Sequence, residues 1–263
     1  METVLPLARR DAIANQLASG QSVNSTALAI EHNVSEDAIR RDLRALAAQG
    51  LCRRVYGGAL PIQSQAATMA SRIGVDFARK TELARKAAST ILPRELVFLD
   101  TGSSNLALVE FLPLEFDLRI ATNCIAIAAA VLQRPGLRLF LVGGGVNPAI
   151  GGSVDANASQ SVAQLNIDRS FVGCCSVSGR TGVCVLDDAD ANFKRTLLQF
   201  SRTSVTLVLN EKLATHSPFR VAQVDAFDLL VVEHDVANAV QRELRAAGAT
   251  LLNAKSANSP EAS

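Results

Sequence analysis

From residue 7 to residue 60 the apolar residues first recur at helical spacing and then alternate. In "ARRDAIANQLASG", Ile13 and Leu17 share one helix face and Gly20 offers a C-cap. "NSTALAIEHN" predicts a short helix carrying Leu28 and Ile30, with Asn24 or Ser25 as N-cap. "VSEDAIRRDLRALAAQG" predicts a longer one, opened by Ser35. Glu36 and Asp37 fall in its first turn, where the helix dipole favours negative charge; Ile39, Leu43 and Leu46 form one apolar stripe, and Gly50 closes the helix. "LCRRVYGGALPI" then reads as two short strands joined at Gly57-Gly58.

The pattern changes after residues 61–75, whose small, mixed residues predict a linker. "FARKTELARKAASTIL" is a helix. Short apolar runs follow, "ELVFLD", "LRIAT", "LRLFLVG", "RSFVGCC", "SVTLVLN" and "FDLLVVE", with helical segments between several of them at 124–132, 156–165, 190–201 and 236–247. Near-continuous apolar strands alternating with helices predict an α/β domain over 76–253 with a mostly parallel sheet covered on both faces. Residues 254–263 read as a disordered tail.

The net charge of +1 favours no class of partner, so any nucleic-acid signal must be local. It is local: Arg40, Arg41, Arg44, Arg53 and Arg54 gather in the second helix and the hairpin after it, with Asp42 the one acid among them. Five cysteines without a C-x-x-C spacing read as buried thiols in a reducing compartment. No apolar run reaches the roughly 20 residues that span a bilayer, and the N-terminus lacks a signal-peptide core. A soluble, cytoplasmic protein is expected, with no membrane partner.

A short helix, a tight turn and a longer helix form a helix-turn-helix. At 100° per residue, Arg40, Arg41 and Arg44 point away from the Ile39–Leu43–Leu46 stripe. A helix fits the major groove of double-stranded DNA, where the guanidinium fork can bond guanine O6 and N7 or grip phosphate. Arg53 and Arg54 would reach neighbouring phosphates or the minor groove. Glu36 and Asp37 would face phosphate, serve the helix dipole, or accept from a cytosine amine. A solvated arginine face is the other reading.

The stretch resembles the winged helix-turn-helix of the DeoR family of bacterial transcriptional regulators. The residues that carry the resemblance are Val34, Ser35, Ile39-Arg40-Arg41-Asp42-Leu43, Gly50-Leu51, Arg54 and Gly57-Gly58. Ala38 stands where the family usually has Thr, removing one hydroxyl that could contact phosphate. The resemblance implies a DNA-binding domain over 1–60 and a regulator, usually a repressor, acting as a dimer or larger homo-oligomer on related half-sites about one helical turn, or a multiple of it, apart.

In the larger domain, "VFLDTGSSNLAL" runs from a strand ending at Asp100, through Thr101-Gly102-Ser103-Ser104, into a helix: a phosphate cradle or an ordinary capped turn. Thr122-Asn123 and Gly143-Gly144 follow other strands, so the three loops could converge at one edge of the sheet. Residues 70–233 resemble the family's sensor domain, similar to the fold of ribose-5-phosphate isomerase and CoA transferases. Arg72, Lys80, Asp168, Phe171, Gly182 and Lys194-Arg195 follow its pattern. The resemblance implies a phosphorylated sugar or related metabolite as effector, with Thr101, Gly102, Ser103 and Ser104 on the phosphate, Asn123 and Lys194 lining the site and Lys212 adding charge. Lys194 and Lys212 could equally be surface lysines.

Several positions depart from the family: Arg79 and Asp190, each where Glu is common, Leu209, and Val232-Glu233 in place of Thr-Asp. They leave room for altered sensing, or for a sensor that no longer binds ligand and serves oligomerisation. A further alternative is a sugar-phosphate isomerase using Asp100, Asp187, Asp188 or Asp190 as base and Lys194 as cation, although no spacing marks an acid–base pair. His32, His216 and His234 are isolated, so no metal is expected, and the glycine loops lack the P-loop ending and the dinucleotide fingerprint, so no ATP or NAD cofactor is expected.

Overall fold

A computed structural model of the protein describes residues 6–18, 23–49, 51–55, 57–61, 68–213 and 215–255. The chain divides into two compact units, residues 1–66 and 67–263.

The first unit runs α1 (Pro6–Ala18), β1 (Val23–Asn24), α2 (Ser25–Glu31), α3 (Glu36–Ala48), β2 (Cys52–Val55) and β3 (Gly58–Pro61). Ile13 and Leu17 of α1, Leu28 of α2 and the Ile39–Leu43–Leu46 stripe of α3 close one small core with Cys52 and Ala59. Both predicted caps at α2 and α3 form: Asn24 accepts from the amides of Thr26 and Ala27, and Ser35 accepts from that of Ala38. Ile30, expected on the apolar face of α2, is instead 78% exposed. The helix is only seven residues long, and Leu28 and Ala29 already supply its inward contacts. The predicted cap glycines Gly20 and Gly50 lie outside the described residues.

The hairpin is three-stranded, because β3 also pairs antiparallel with β1, Asn24 facing Gly58. Gly57 turns with φ +80°, a region that favours glycine. A side chain at Gly58 would sit 2.0 Å from the Val23 carbonyl oxygen, so no larger residue fits without parting β1 from β3.

The second unit begins with α4 (Met69–Arg72) and α5 (Phe77–Ala88). Then come β4 (Leu96–Leu99), α6 (Ser103–Leu108), β5 (Arg119–Thr122), α7 (Ile125–Leu132), β6 (Arg138–Leu141), the two-residue strands β7 (Val146–Asn147) and β8 (Gly152–Ser153), α8 (Ala156–Val162) and β9 (Ile167–Val172). Next are β10 (Ser176–Ser178), β11 (Gly182–Val185), α9 (Asp188–Gln199), β12 (Ser201–Val208), β13 (Phe219–Ala222), β14 (Leu229–Val232), α10 (Asn238–Ala246) and β15 (Leu251–Asn253). Seven strands form one sheet in the order β15-β14-β12-β9-β4-β5-β6, parallel at every pairing.

The strand side chains divide by alternation. Val97, Leu99, Phe171, Leu207 and Val231 face a core built with α5, α6 and α7. Phe98, Val172, Val208, Leu230 and Val232 face the opposite core, built with α8, α9 and α10. Apolar residues at both parities explain the unbroken apolar runs in the sequence.

Three features differ from the expectation. Met69, inside the predicted linker, is buried in the body and its amide donates to the Ala149 carbonyl; residues 62–67 of that segment lie outside the described residues. Ala254, the first residue of the predicted tail, is buried and bonds to Val232; residues 256–263 are not described. A small antiparallel sheet, β10-β11-β13, packs beside the main one.

Candidate functional site

In the first unit, α3 buries Ile39, Leu43 and Leu46 and leaves Arg40, Arg41 and Arg44 exposed within about 100° of arc on the opposite side. Arg54 of β2 is exposed as well; the side chain of Arg53 is outside the described set. Glu36 does more than complement the helix dipole. It accepts from the Thr26 hydroxyl at 2.8 Å, tying α2 to the start of α3, and from Arg40 at 2.8 Å. Asp37 lies 3.5 Å from the same guanidinium. Arg40 is thus oriented by two carboxylates one turn back.

Asp42, the one acid among these arginines, anchors the helix. Its buried carboxylate accepts from Arg9 at 2.7 Å and Arg10 at 3.1 Å, clamping α1 onto α3. An acid amid arginines on a helix reads as charge balance; only the fold reveals that it points inward while the arginines point out.

In the second unit the chain leaves β4 to build β5 and β6 on one side, then returns through β9 to build the other half. The β4–β9 boundary is therefore where strand order reverses, the usual place for a ligand crevice in an open parallel sheet. The Asp100–Ser104 loop leaves the carboxyl end of β4 there, and the Gly173–Cys174 turn leaves β9 beside it.

The two are tied closely. Asp100 is fully buried, accepting from the Gly173 amide at 2.8 Å and from the Thr101 hydroxyl at 3.3 Å. Asn105 donates to the carbonyls of Asp100 (2.9 Å) and Phe171 (2.8 Å). A side chain at Gly173 would lie 2.1 Å from the Thr101 carbonyl oxygen, so glycine is required for this approach.

Lys194 of α9 was expected either to line the site or to lie at the surface; it is buried. Its ammonium sits 2.9 Å from Asp100 and also pairs with Asp190, one turn earlier on α9. Burial alone would lower its pKa, but the two carboxylates outweigh burial and hold it above the ordinary lysine value. Burial pushes the Asp190 carboxyl up, against the pull of Lys194.

The Thr122–Asn123 loop joins this region through the β7–β8 hairpin. The Asn123 side chain donates to Ser153 at 3.1 Å, and a side chain at Gly152 would meet both the Asn123 backbone carbonyl oxygen (2.4 Å) and the Thr101 methyl (2.6 Å). Thr122 is directed inward, its hydroxyl donating to Leu99 at 2.5 Å. Two polar atoms of these loops, the Ser104 hydroxyl and the Asn123 side-chain oxygen, are buried without a hydrogen-bond partner. Gly143 and Gly144 lie one strand further out, in an exposed loop held by Asp155, which accepts from the Gly145 amide at 2.7 Å.

Lys212 donates to the Cys174 carbonyl at 2.9 Å, bringing its charge to the β9 turn. Lys80, buried and donating to the carbonyls of Arg72 and Val75, is held below the ordinary lysine pKa by burial first and by the Lys212 charge second. This second cation belongs to the same neighbourhood; sequence reading placed it in the family pattern without a role.

The family departures at Arg79 and Glu233 turn out to be partners. Arg79 pairs with the buried Glu233 and, at 3.3 Å, with Asp235. Glu233 also accepts from the Asn210 amide at 2.6 Å. Two changes that look like drift in sequence form one ion pair between α5 and the end of β14.

A winged helix-turn-helix with outward arginines, joined in one chain to a parallel α/β body with polar loops at its switch point, defines a DNA-binding transcriptional regulator with a sensor domain. Residues 9–65 match the DeoR-like helix-turn-helix domain and residues 76–234 the DeoR C terminal sensor domain. The chain belongs to the DeoR family. Its relatives include the glycerol-3-phosphate regulon repressor of Escherichia coli (strain K12), 27% identical over 220 residues that cover 83% of this chain and 87% of that one. The HTH-type transcriptional repressor GlcR of Bacillus subtilis (strain 168) is 25% identical over 202 residues, 76% of this chain and 78% of that one. These relatives are regulators, not enzymes. Among solved structures, a D-ribose-5-phosphate isomerase in complex with phospho-erythronic acid overlaps 52% of this chain and 54% of that one, at a TM-score of 0.39 and 15% identity; a likeness so partial assigns nothing to this chain. Among the described residues no helix is long and apolar enough to cross a membrane.

Proposed function

We propose that this regulator is a cytoplasmic repressor of carbohydrate-metabolism genes, released from its operator by a phosphorylated sugar or a related phosphorylated metabolite. Arg40, Arg41 and Arg44 of α3 read or grip the major groove, with Arg53 and Arg54 on the flanking backbone; Ser35 caps the helix, and Glu36 and Asp37 orient Arg40. The effector sits at the β4–β9 switch point. Its phosphate lies on Thr101, Gly102, Ser103 and Ser104, with Asn123 toward the sugar and Lys212 supplying charge. Asp100 and Lys194 hold the loop in shape rather than touching the ligand, since each is consumed by buried pairing. Thr122 sets the neighbouring loop, and Gly143 and Gly144 form the outer rim.

The observation that carries this reading is the pair of buried, unpartnered polar atoms on Ser104 and Asn123, beside the loop at the point of strand reversal. Ligand-dependent release follows if the effector binds the DNA-incompetent arrangement better than the competent one. Regulation rather than turnover is favoured because the carboxylates nearest the loop, Asp100 and Asp190, are both tied to Lys194, leaving neither as a free base. A retained ligand is favoured over a silent sensor because the departures at Arg79 and Glu233 compensate each other instead of stripping the site.

The test is a thermal-shift screen of phosphorylated sugars, followed by operator release by any hit. A ligand that binds only the folded state at about 100 times its dissociation constant stabilises by about 2.7 kcal/mol. Ser103→Glu should abolish both the shift and the release by placing a carboxylate where the phosphate belongs, while operator binding without effector persists. Normal release of that variant at the wild-type concentration places the phosphate elsewhere.

A further inference from the structure

One rim of the body gathers exposed apolar side chains from a strand and the helix beside it. β6 is an edge strand, and its Phe140 and Leu141 are 49% and 46% exposed; Val146, just beyond it, is 50% exposed. Beside β6, α7 turns Ile127, Ala128 and Val131 inward and leaves Ile125, Ala129 and Leu132 exposed, Leu132 by 71%. Positions 125, 129 and 132 fall on one helical stripe. Strands of parallel sheets are ordinarily covered on both faces, and a helix apolar on every side is ordinarily buried. An exposed apolar edge strand is also a template for pairing with another chain.

We propose that the α7–β6 rim is the self-association surface of the protein, where a second copy of this chain docks about a two-fold axis. The charges around the patch suit a copy of itself. Arg138 and Asp117 lie side by side at 3.5 Å, both well exposed, with the exposed Arg119 opposite Arg138 on the next strand, so the border carries charges of both signs. A two-fold contact requires a patch complementary to itself: its apolar centre meets the same centre, and each border charge finds its opposite on the other copy. A border of one sign would repel its own copy.

The test is sedimentation equilibrium on the full chain without DNA or effector, so its failure would leave the regulator reading standing. The double variant L132E/F140E should lower the apparent mass about two-fold, whether the wild type is a dimer or a pair of dimers. Circular dichroism and a melting temperature near that of the wild type would show that it still folds. A second measurement avoids charge insertion altogether. Leu132→Cys should give a covalent dimer with a short bis-maleimide, whereas Thr250→Cys, beside β15 at the opposite edge, should give only the wild-type background. A wild type that is monomeric at about 10 µM, well above the dissociation constants of stable specific dimers, overturns the proposal and leaves the face to a different protein. An unchanged mass for folded L132E/F140E, or equal cross-linking through Thr250→Cys, overturns it too.

Discussion

Replacing Lys194 with Met keeps most of the side-chain volume and removes the charge between Asp100 and Asp190. The three side chains are nearly sealed from solvent, with relative exposures of 2%, 0% and 9%. Breaking a buried pair by deleting one partner costs about 3–5 kcal/mol, because the charge left behind is neither solvated nor matched. For a body of this size that corresponds to a fall in Tm of roughly 6–20 °C. The loss should depend on pH. Burial raises the folded-state pKa of Asp190 above its unfolded value, so its protonated form contributes stability that is present at low pH and lost as pH rises through the folded value. Without Lys194 nothing opposes that rise. The variant should therefore lie closest to wild type near about pH 4 and furthest below it near about pH 8. Adding Asp190→Asn should recover part of the loss, since one stranded carboxylate is gone. Melting curves of the wild type and both variants across that range are the assay. A Lys194→Met protein within about 1 kcal/mol of wild type at neutral pH, with no gain from Asp190→Asn, would refute the account of the triad.

Other outcomes follow from the same geometry. Asp42→Ala should cost the reading unit about 3 kcal/mol by stranding Arg9 against α3, and urea melts monitored on residues 1–66 within the full chain would detect it. Arg41→Ala should weaken operator binding by about 1–3 kcal/mol in gel-shift or anisotropy titrations with little change in melting; unchanged affinity removes Arg41 from the interface. Arg79→Ala should lower stability by about 1 kcal/mol, since its side chain is half exposed, and leave effector-driven release intact; loss of release would place the pair within the sensing machinery.

How far the sequence could be read depended on the range of each interaction. Ile39, Leu43 and Leu46 declared α3 because their spacing is local, and the strand "VFLD" was plain because both its faces are buried. Asp190 and Lys194 were legible as an available carboxylate and a possible cation. That Asp100 joins them was not, since the contact is distant in sequence and depends on β4 lying next to β9. Arg79 and Glu233, 154 positions apart, each looked like a lost polar residue until they met. β15 escaped notice because three residues show too little alternation, and Ile30 was placed inward because a two-turn helix has too few positions to fix its phase. For the candidate site, the loop residues were nameable in advance, but which of them point into the crevice and which are spent on holding it was a matter of long-range pairing.

Asn24 belongs to two structures at once. Its side chain starts α2, while its backbone sits opposite Gly58 in the sheet that carries the wing, and the next amide, Ser25, donates to Gly57 at 2.8 Å. The wing and the helical pair therefore share a hinge pin rather than a flexible joint. Any force that tilts one must carry the other with it, so the spacing between the exposed face of α3 and the β2–β3 hairpin is a fixed gauge of the molecule. Variants that acquire new operators are expected to change the arginines themselves and leave that gauge alone.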